Sequence, residues 1–105
     1  MTRFHHVAIA VEEFENYVSL FEKLGMTYER SSGEIPHRQL WFEEGIQLKE
    51  MKETESGSSI DHIALGTDNI GQLMKIALEN GCAPFQQREN WFVLPNGISV
   101  ELMED

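Results

Sequence analysis

Bulky apolar residues alternate with small or polar ones over residues 4–11. The positions between the bulky side chains hold His6, Ala8 and Ala10. Because successive strand residues face opposite sides of a sheet, this pattern predicts a strand with one bulky face and one face of small residues beside a histidine. We expect a helix to cover the bulky face and open space to lie in front of the other.

The same pattern returns 56 residues later, starting at His62, so the chain contains an internal repeat. The two copies align without a gap as far as Gly25 and Gly81. Between the copies, residues 53–59 are rich in serine and glutamate, a composition typical of a linker. The predicted organisation is a single domain, 1–105, made of module one (1–52), a linker (53–59) and module two (60–105).

A helix is predicted after the first strand of each module. In both modules apolar residues recur at intervals of three and four, the spacing of one helix face. Gly25 and Gly81 are expected to end the helices, and Asn69 followed by Gln72 resembles a capping box. The predicted apolar stripes are Phe14, Tyr17, Val18, Phe21 and Leu24 in module one, and Ile70, Leu73, Met74 and Ala77 in module two.

Three short strand patterns follow each helix, separated by turns rich in Gly, Ser, Pro and Asn. Each module is therefore predicted to be β-α-β-β-β. A single module cannot cover both faces of its sheet, so we expect an α+β fold in which two βαβββ modules form curved mixed sheets around a cleft. The predicted strands are 26–30, 38–42 and 46–51 in module one, and 84–87, 90–94 and 98–103 in module two.

Composition and charge exclude several functional classes. The chain has 105 residues, of which 41% are hydrophobic and 25% charged, as in an ordinary globular domain. The formal charge of −10 argues against binding to nucleic acid or to an anionic membrane, because both need a basic surface. The single cysteine, Cys82, excludes an internal disulfide. Neither a membrane-spanning run nor a signal-peptide pattern is present, so a cytoplasmic location is expected.

The repeat carries a resemblance to a known superfamily. Each module opens with histidine, an apolar residue and alanine, and the second ends in the sequence Pro95-Asn96-Gly97-Ile98-Ser99-Val100-Glu101-Leu102. This arrangement resembles the vicinal oxygen chelate superfamily over essentially the whole chain. That group includes glyoxalase I, methylmalonyl-CoA epimerase, extradiol dioxygenases and the fosfomycin- and bleomycin-resistance proteins. The resemblance also implies a homodimer.

In that superfamily a divalent metal is commonly held by the first and last strands of each module. Matched by position, the resemblance implies His6, Gln47, His62 and Glu101 as metal ligands, a set similar to that of methylmalonyl-CoA epimerase. Gln47 and Glu101 each stand between two apolar residues, so alternation separates both from the bulky face. Mixed nitrogen and oxygen ligands suit Zn, Ni, Co, Mn or Fe(II) rather than Ca.

The implied function is a metal-dependent, glyoxalase-like lyase or isomerase. It would transfer a proton on a small α-oxygenated carbonyl compound chelated to the metal, with Glu101 as catalytic base. Where the epimerases carry a catalytic carboxylate, this chain has Gln39, whose amide is not a usable base. Trp41 and Trp91 are candidate substrate-binding walls, with plain core packing as an equal alternative for both.

Two other functions are also compatible with the sequence. One is a metal-free protein of the bleomycin-resistance type that sequesters a ligand between aromatic side chains. The other is a dioxygenase-type metal enzyme, because His6, His62 and Glu101 alone also match the ligand triad of that group. In each case the expected partner is a small molecule, and the sequence alone does not decide whether the cleft forms within one chain or across a dimer.

Overall fold

The computed structural model describes residues 2–52 and 60–104, and the predicted linker 53–59 lies outside the described residues. Module one has the predicted βαβββ order. Its elements are β1 (Arg3–Val11), α1 (Phe14–Lys23), β2 (Tyr28–Ser32), β3 (Gln39–Phe42) and β4 (Ile46–Glu50).

Module two repeats this order, which confirms the α+β class and the two βαβββ modules. Its elements are β5 (Ile60–Thr67), α2 (Ile70–Glu79), β6 (Ala83–Pro84), β7 (Trp91–Val93) and β8 (Ser99–Glu104). Neither helix in the described part of the chain has the length and apolarity needed to span a bilayer.

The described residues form two compact units. The first contains residues 6–52 and 60–61, and the second contains residues 2–5 and 62–104. The boundary falls inside β1, because its first residues, Arg3–His5, group with module two. The sequence pattern placed the whole of this strand in module one.

In the first unit the strands lie in the order β2-β3-β4-β1. β1 pairs in parallel with β4, and β4 pairs antiparallel with β3, so the sheet is mixed as predicted. One face of this sheet forms a core with α1, in which Leu48 is fully buried. The buried members of that core are Val11, Phe14, Leu40, Phe42 and Leu48.

The apolar stripe predicted for α1 is broader than the part that packs. Phe14, Val18 and Phe21, spaced four and three residues apart, contact the core. The prediction that Tyr17 and Leu24 are also core residues is wrong, since they are 39% and 66% exposed. Leu24 lies beyond the last helical residue, and Tyr17 lies off the line of the three packed side chains.

In the second unit the strands lie in the order β5-β8-β7-β6, with β5 parallel to β8 and β7 antiparallel to it. The predicted stripe of α2 is confirmed: Ala77 is buried, and the other three residues pack on the same core. The predicted cap is confirmed too, because the side chain of Asn69 accepts a 3.1 Å hydrogen bond from the backbone N–H of Gln72. Both helices are followed by a glycine at φ +96°, Gly25 and Gly81, a conformation that favours glycine.

Two of the predicted strands are displaced. β2 begins two residues later than expected, because Met26 instead packs against the core between α1 and the strand. β6 covers only Ala83–Pro84, because the chain then turns, with the N–H of Arg88 bonded to the carbonyl of Phe85. The remaining strands agree with the predictions to within one or two residues at each end.

Candidate functional site

The two modules pair their first and last strands in the same register. In module one Ala8 lies opposite Gln47, and in module two Ala64 lies opposite Glu101. Ala8 and Ala64 are themselves equivalent in the sequence repeat. The pairing therefore confirms, from backbone geometry, that Gln47 and Glu101 occupy equivalent last-strand positions.

In module two, alternation places the predicted site residues away from the core. Val100 and Leu102 of β8 are buried against α2, so Glu101 faces the other side of the sheet. On β5, Ile63 and Leu65 pack on the same core, which leaves His62 on the side of Glu101. Beside them, Ala64 and Gly66 carry little or no side chain, as the sequence pattern predicted.

His62 and Glu101 form a close pair. The Nε2 of His62 lies 3.4 Å from Oε1 of Glu101, and their side chains are 6% and 21% exposed. Two ligand atoms that each lie about 2.1 Å from one metal ion, at octahedral or tetrahedral angles, are about 3.0–3.4 Å apart. The observed separation therefore fits two donors of one metal shell.

Trp91 packs against this pair. Its ring centroid lies 4.6 Å from that of His62, and the register of β7 with β8 sets it opposite Glu101. Phe85 covers it at 5.2 Å. Among the described residues, nothing accepts a hydrogen bond from the buried Nε1 of Trp91. Trp91 is thus a buried part of the same face as Glu101, with an unused hydrogen-bond donor.

In module one, His6 and Gln47 are also buried, at 6% and 3% exposure. The flanking residues Ile46 and Leu48 belong to the core, so Gln47 faces the opposite side of the sheet. Its Nε2 donates a 2.6 Å hydrogen bond to Oε1 of Gln39 on the adjacent strand. The amide N–H group of Gln47 is therefore engaged within the protein, and its oxygen is the group left to meet a ligand.

Trp41 lies opposite Gln47 in the β3–β4 register, the place that Trp91 holds relative to Glu101. Unlike Trp91 it is only half-buried, and the guanidinium of Arg30 lies 3.8 Å above its ring. Trp41 is thus available to a ligand as an aromatic surface beside a cation.

An ion-pair cluster in module one was missed by the sequence analysis. Arg38 binds both carboxylate oxygens of Glu50, at 2.9 and 2.8 Å, and also binds Glu15 of α1. These hydrogen bonds raise the pKa of Arg38 and lower that of Glu50 to about 2. Arg38 also stacks on Phe14, so this cluster joins the helix to the sheet. No short-range spacing in the sequence signals it.

The remaining histidines, His5 and His37, are exposed. The two glutamates of the β3–β4 turn, Glu43 and Glu44, are exposed as well. Glu44 accepts a 2.8 Å hydrogen bond from the backbone N–H of Thr27, which lowers its pKa. Because this hydrogen bond holds Glu44 in the turn, its carboxylate does not take the place of the carboxylate that Gln39 replaces.

No protein-family model and no curated protein matches the sequence. Solved structures do match. A hypothetical protein from Bacillus halodurans C-125 superposes with a TM-score of 0.69 at 21% identity, covering 99% of this chain and 94% of that one. A superfamily member described as a glyoxalase/bleomycin resistance protein/dioxygenase, from Vibrio splendidus 12B01, gives a TM-score of 0.65 at 14% identity, covering 100% of both chains.

A third match is methylmalonyl-CoA epimerase from Streptomyces coelicolor, solved in complex with 2-nitronate-propionyl-CoA. Its TM-score is 0.66 at 18% identity, covering 100% of this chain and 95% of that one. The chain has the vicinal oxygen chelate fold. A fold does not determine a reaction, so the activity of this chain depends on its own side chains.

Proposed function

We propose that this chain is a metal-dependent, glyoxalase-like enzyme that moves a proton on a small α-oxygenated carbonyl compound. The proposed metal ligands are His6, Gln47, His62 and Glu101. The observation that supports it most is the 3.4 Å approach of His62 to Glu101 on the face opposite the core, with Gln47 at the equivalent position of the other module.

The side chains suit a divalent transition metal. Two imidazoles, one carboxylate and one amide oxygen form a mixed shell that fits Zn, Ni, Co, Mn or Fe(II). When bound, such an ion acts as a Lewis acid on a neighbouring carbonyl oxygen and makes the adjacent C–H acidic. Small residues lie directly opposite two of the proposed ligands, Ala8 opposite Gln47 and Ala64 opposite Glu101.

Glu101 is the proposed catalytic base. Its carboxylate is 21% exposed, so an oxygen can reach a substrate while the side chain stays beside His62. Trp91 lies opposite it across the strand pair and excludes water from that side. We propose that an Oε atom of Glu101 takes the proton from the activated carbon and returns it to the neighbouring atom.

The second carboxylate that a two-base epimerisation needs is not supplied by β3. Gln39 stands at that position, and its oxygen accepts the hydrogen bond from Gln47. A one-base lyase or isomerase reaction is therefore favoured over epimerisation. Trp41 and Trp91 are proposed to bind the substrate, Trp41 through its half-buried ring and Trp91 through the small exposed part of its ring.

We further propose that the protein is a cytoplasmic homodimer with neither nucleic acid nor membrane among its partners. A chain of 105 residues buries a limited core of its own, and a dimer adds apolar burial. The charge of −10 disfavours polyanionic partners. Light scattering at micromolar concentration is expected to give twice the mass of the chain, and the monomer mass contradicts the dimer.

The function is tested by metal analysis followed by proton exchange. Protein purified without a chelator or a histidine tag should contain about one transition-metal ion per site by plasma mass spectrometry. Incubation in D2O with small 2-hydroxy and 2-oxo carbonyl compounds should then give metal-dependent deuterium incorporation at the activated carbon, measured by NMR. Metal-containing protein that exchanges no such proton but consumes O2 with a catechol would support the dioxygenase alternative.

A metal-free binding protein is the second candidate, and the aromatic side chains favour it. Trp41 is half-buried and stacks with Arg30, a feature that suits capture of a planar ligand. This function predicts protein free of metal, together with quenching of tryptophan fluorescence by such ligands that is unchanged by EDTA.

A further inference from the structure

Gln47 differs from the other proposed ligands because its side chain has two chemically different ends. The amide oxygen can bind a cation, whereas the NH2 group carries partial positive charge and repels one. A rotation of the terminal amide exchanges the two ends at little energetic cost. A buried glutamine therefore binds a metal more tightly when a neighbour already fixes the oxygen as the end that faces the metal.

Gln39 supplies such a neighbour. The β3–β4 register sets Gln39 opposite Lys49 and sets Trp41 opposite Gln47, so Gln39 reaches Gln47 diagonally. Its Oε1 accepts the 2.6 Å hydrogen bond from Gln47 Nε2. Within residues 2–52 and 60–104, this is the only hydrogen bond of the Gln47 side chain.

We propose that Gln39 is a positioning residue that presents the oxygen of Gln47 to the metal. This inference rests on the proposed function, since it assumes that Gln47 is a ligand. It also gives a role to the residue that replaces the expected catalytic carboxylate. Gln39 accepts the N–H of Gln47 as a carboxylate would, but it adds no negative charge beside the site and takes no proton from substrate.

A double-mutant cycle in metal affinity tests this role. The variants are Gln39→Met, which has similar size and no comparable acceptor, Gln47→Glu, which has no N–H to be held, and the double variant. Affinity for Zn²⁺ or Mn²⁺ is measured by calorimetry on metal-stripped protein. Thermal unfolding of each stripped variant checks that it is folded, and Gln86→Met, at an exposed position, is the control substitution.

We expect Gln39→Met to weaken metal binding about 10- to 100-fold, as loss of a ligand's hydrogen-bond partner typically does. In the Gln47→Glu background the same substitution should change affinity less than about threefold, because a carboxylate presents an oxygen at either end. Gln39→Glu keeps an acceptor and should bind at least as tightly as the wild type. If Gln39→Met does not fold, Gln39→Ala is used in the same cycle.

Two results overturn the inference. One is wild-type affinity in Gln39→Met. The other is an equal loss of affinity whether Gln39→Met is made in the wild-type protein or in the Gln47→Glu variant, which would indicate a general structural effect. These outcomes differ from failure of the proposed function. In that case the wild-type protein itself binds neither ion with defined stoichiometry, and the inference about Gln39 fails with it.

Discussion

His62 Nε2 and Glu101 Oε1 lie 3.4 Å apart on neighbouring parallel strands, on the side of the sheet that faces away from α2. A shared proton and a shared metal cation are two ways in which such a largely buried pair can be held together. The repeat equivalent of Glu101, Gln47, cannot take part in proton sharing of this kind, yet it is also buried and also faces away from its core. The proposed metal ion would give both positions a role as ligands.

His62→Ala is expected to abolish binding of Zn²⁺ at stoichiometric metal, because it removes a nitrogen ligand next to Glu101. His37→Ala, in an exposed turn, is the control and should bind like the wild type. Imidazole binds a metal only when neutral, so wild-type affinity should fall as the pH is lowered and protons compete with the metal. Calorimetry at several pH values measures both effects, and full affinity in His62→Ala would contradict the ligand assignment.

Glu101→Gln should reduce turnover far more than metal affinity. The amide can still offer an oxygen to the metal, as Gln47 is proposed to do, but it cannot accept a proton. General-base catalysis typically contributes about 10²- to 10⁴-fold, so turnover should fall by that order while metal affinity changes less. The measurement is deuterium incorporation set against calorimetry on the same preparation. Equal losses in both would show that Glu101 is a ligand only.

Trp41→Ala should weaken substrate binding with little effect on folding. Trp41 is half-buried and stacks on an exposed arginine, so truncation leaves the core of Leu40 and Phe42 in place. Trp91→Ala, by contrast, removes a buried ring and should also destabilise the protein by about 3–5 kcal/mol. Substrate-dependent fluorescence measures the effect on binding, and thermal unfolding measures the effect on stability. If Trp41→Ala binds the ligand as tightly as the wild type does, Trp41 is not part of the binding site.

The Glu50–Arg38 pair should make stability depend on pH under acidic conditions. The pKa of Glu50 is lowered from 4.5 to about 2, chiefly by its hydrogen bonds with Arg38. Because the folded protein binds this proton more weakly than the unfolded chain, the contribution is complete above about pH 4.5 and is lost as the pH falls through about 2. Glu50→Gln should flatten this part of the pH profile in urea unfolding. Glu43→Gln is the control. If Glu50→Gln leaves the pH profile unaltered, the Glu50–Arg38 pair does not contribute to stability.

Asn69→Ala should destabilise the protein by about 0.5–2 kcal/mol, because the Asn69 side chain bonds the N–H of Gln72 at the start of α2. Asn69→Asp keeps the acceptor and should remain close to wild type. Urea unfolding measures the difference. Equal stability of the alanine and aspartate variants would mean that the cap contributes nothing.

The repeat predicted the architecture because both signals that define it are local. Alternation fixed which side of each strand His62 and Glu101 face, and the helix spacing located the core of α2. The pattern overestimated the core of α1, since Leu24 keeps the helical spacing after the helix has ended. The spacing of apolar residues shows that a segment is amphipathic. Whether each of those residues contacts the core also depends on where the helix ends.

The contacts between side chains could not be predicted in the same way. The hydrogen bond between Gln47 and Gln39 depends on register and rotamer, and the unpaired N–H of Trp91 depends on how Phe85 covers it. The spacing of residues along the sequence indicates neither of these two features. The resemblance to a superfamily supplied the proposed ligand positions, and the structure supplied the environment of each within its own module.

Anomalous X-ray scattering from crystals of metal-loaded protein would show whether the four proposed ligands bind one ion. Data collected above and below the absorption edge of the bound metal locate the ion without assumptions about its ligands. We expect one strong peak per site, bound by a nitrogen of His6, a nitrogen of His62, an oxygen of Glu101 and Oε1 of Gln47. A peak elsewhere, or no peak in protein that has been saturated with Zn²⁺, Ni²⁺, Co²⁺, Mn²⁺ and Fe²⁺ in turn, would contradict the proposed metal site.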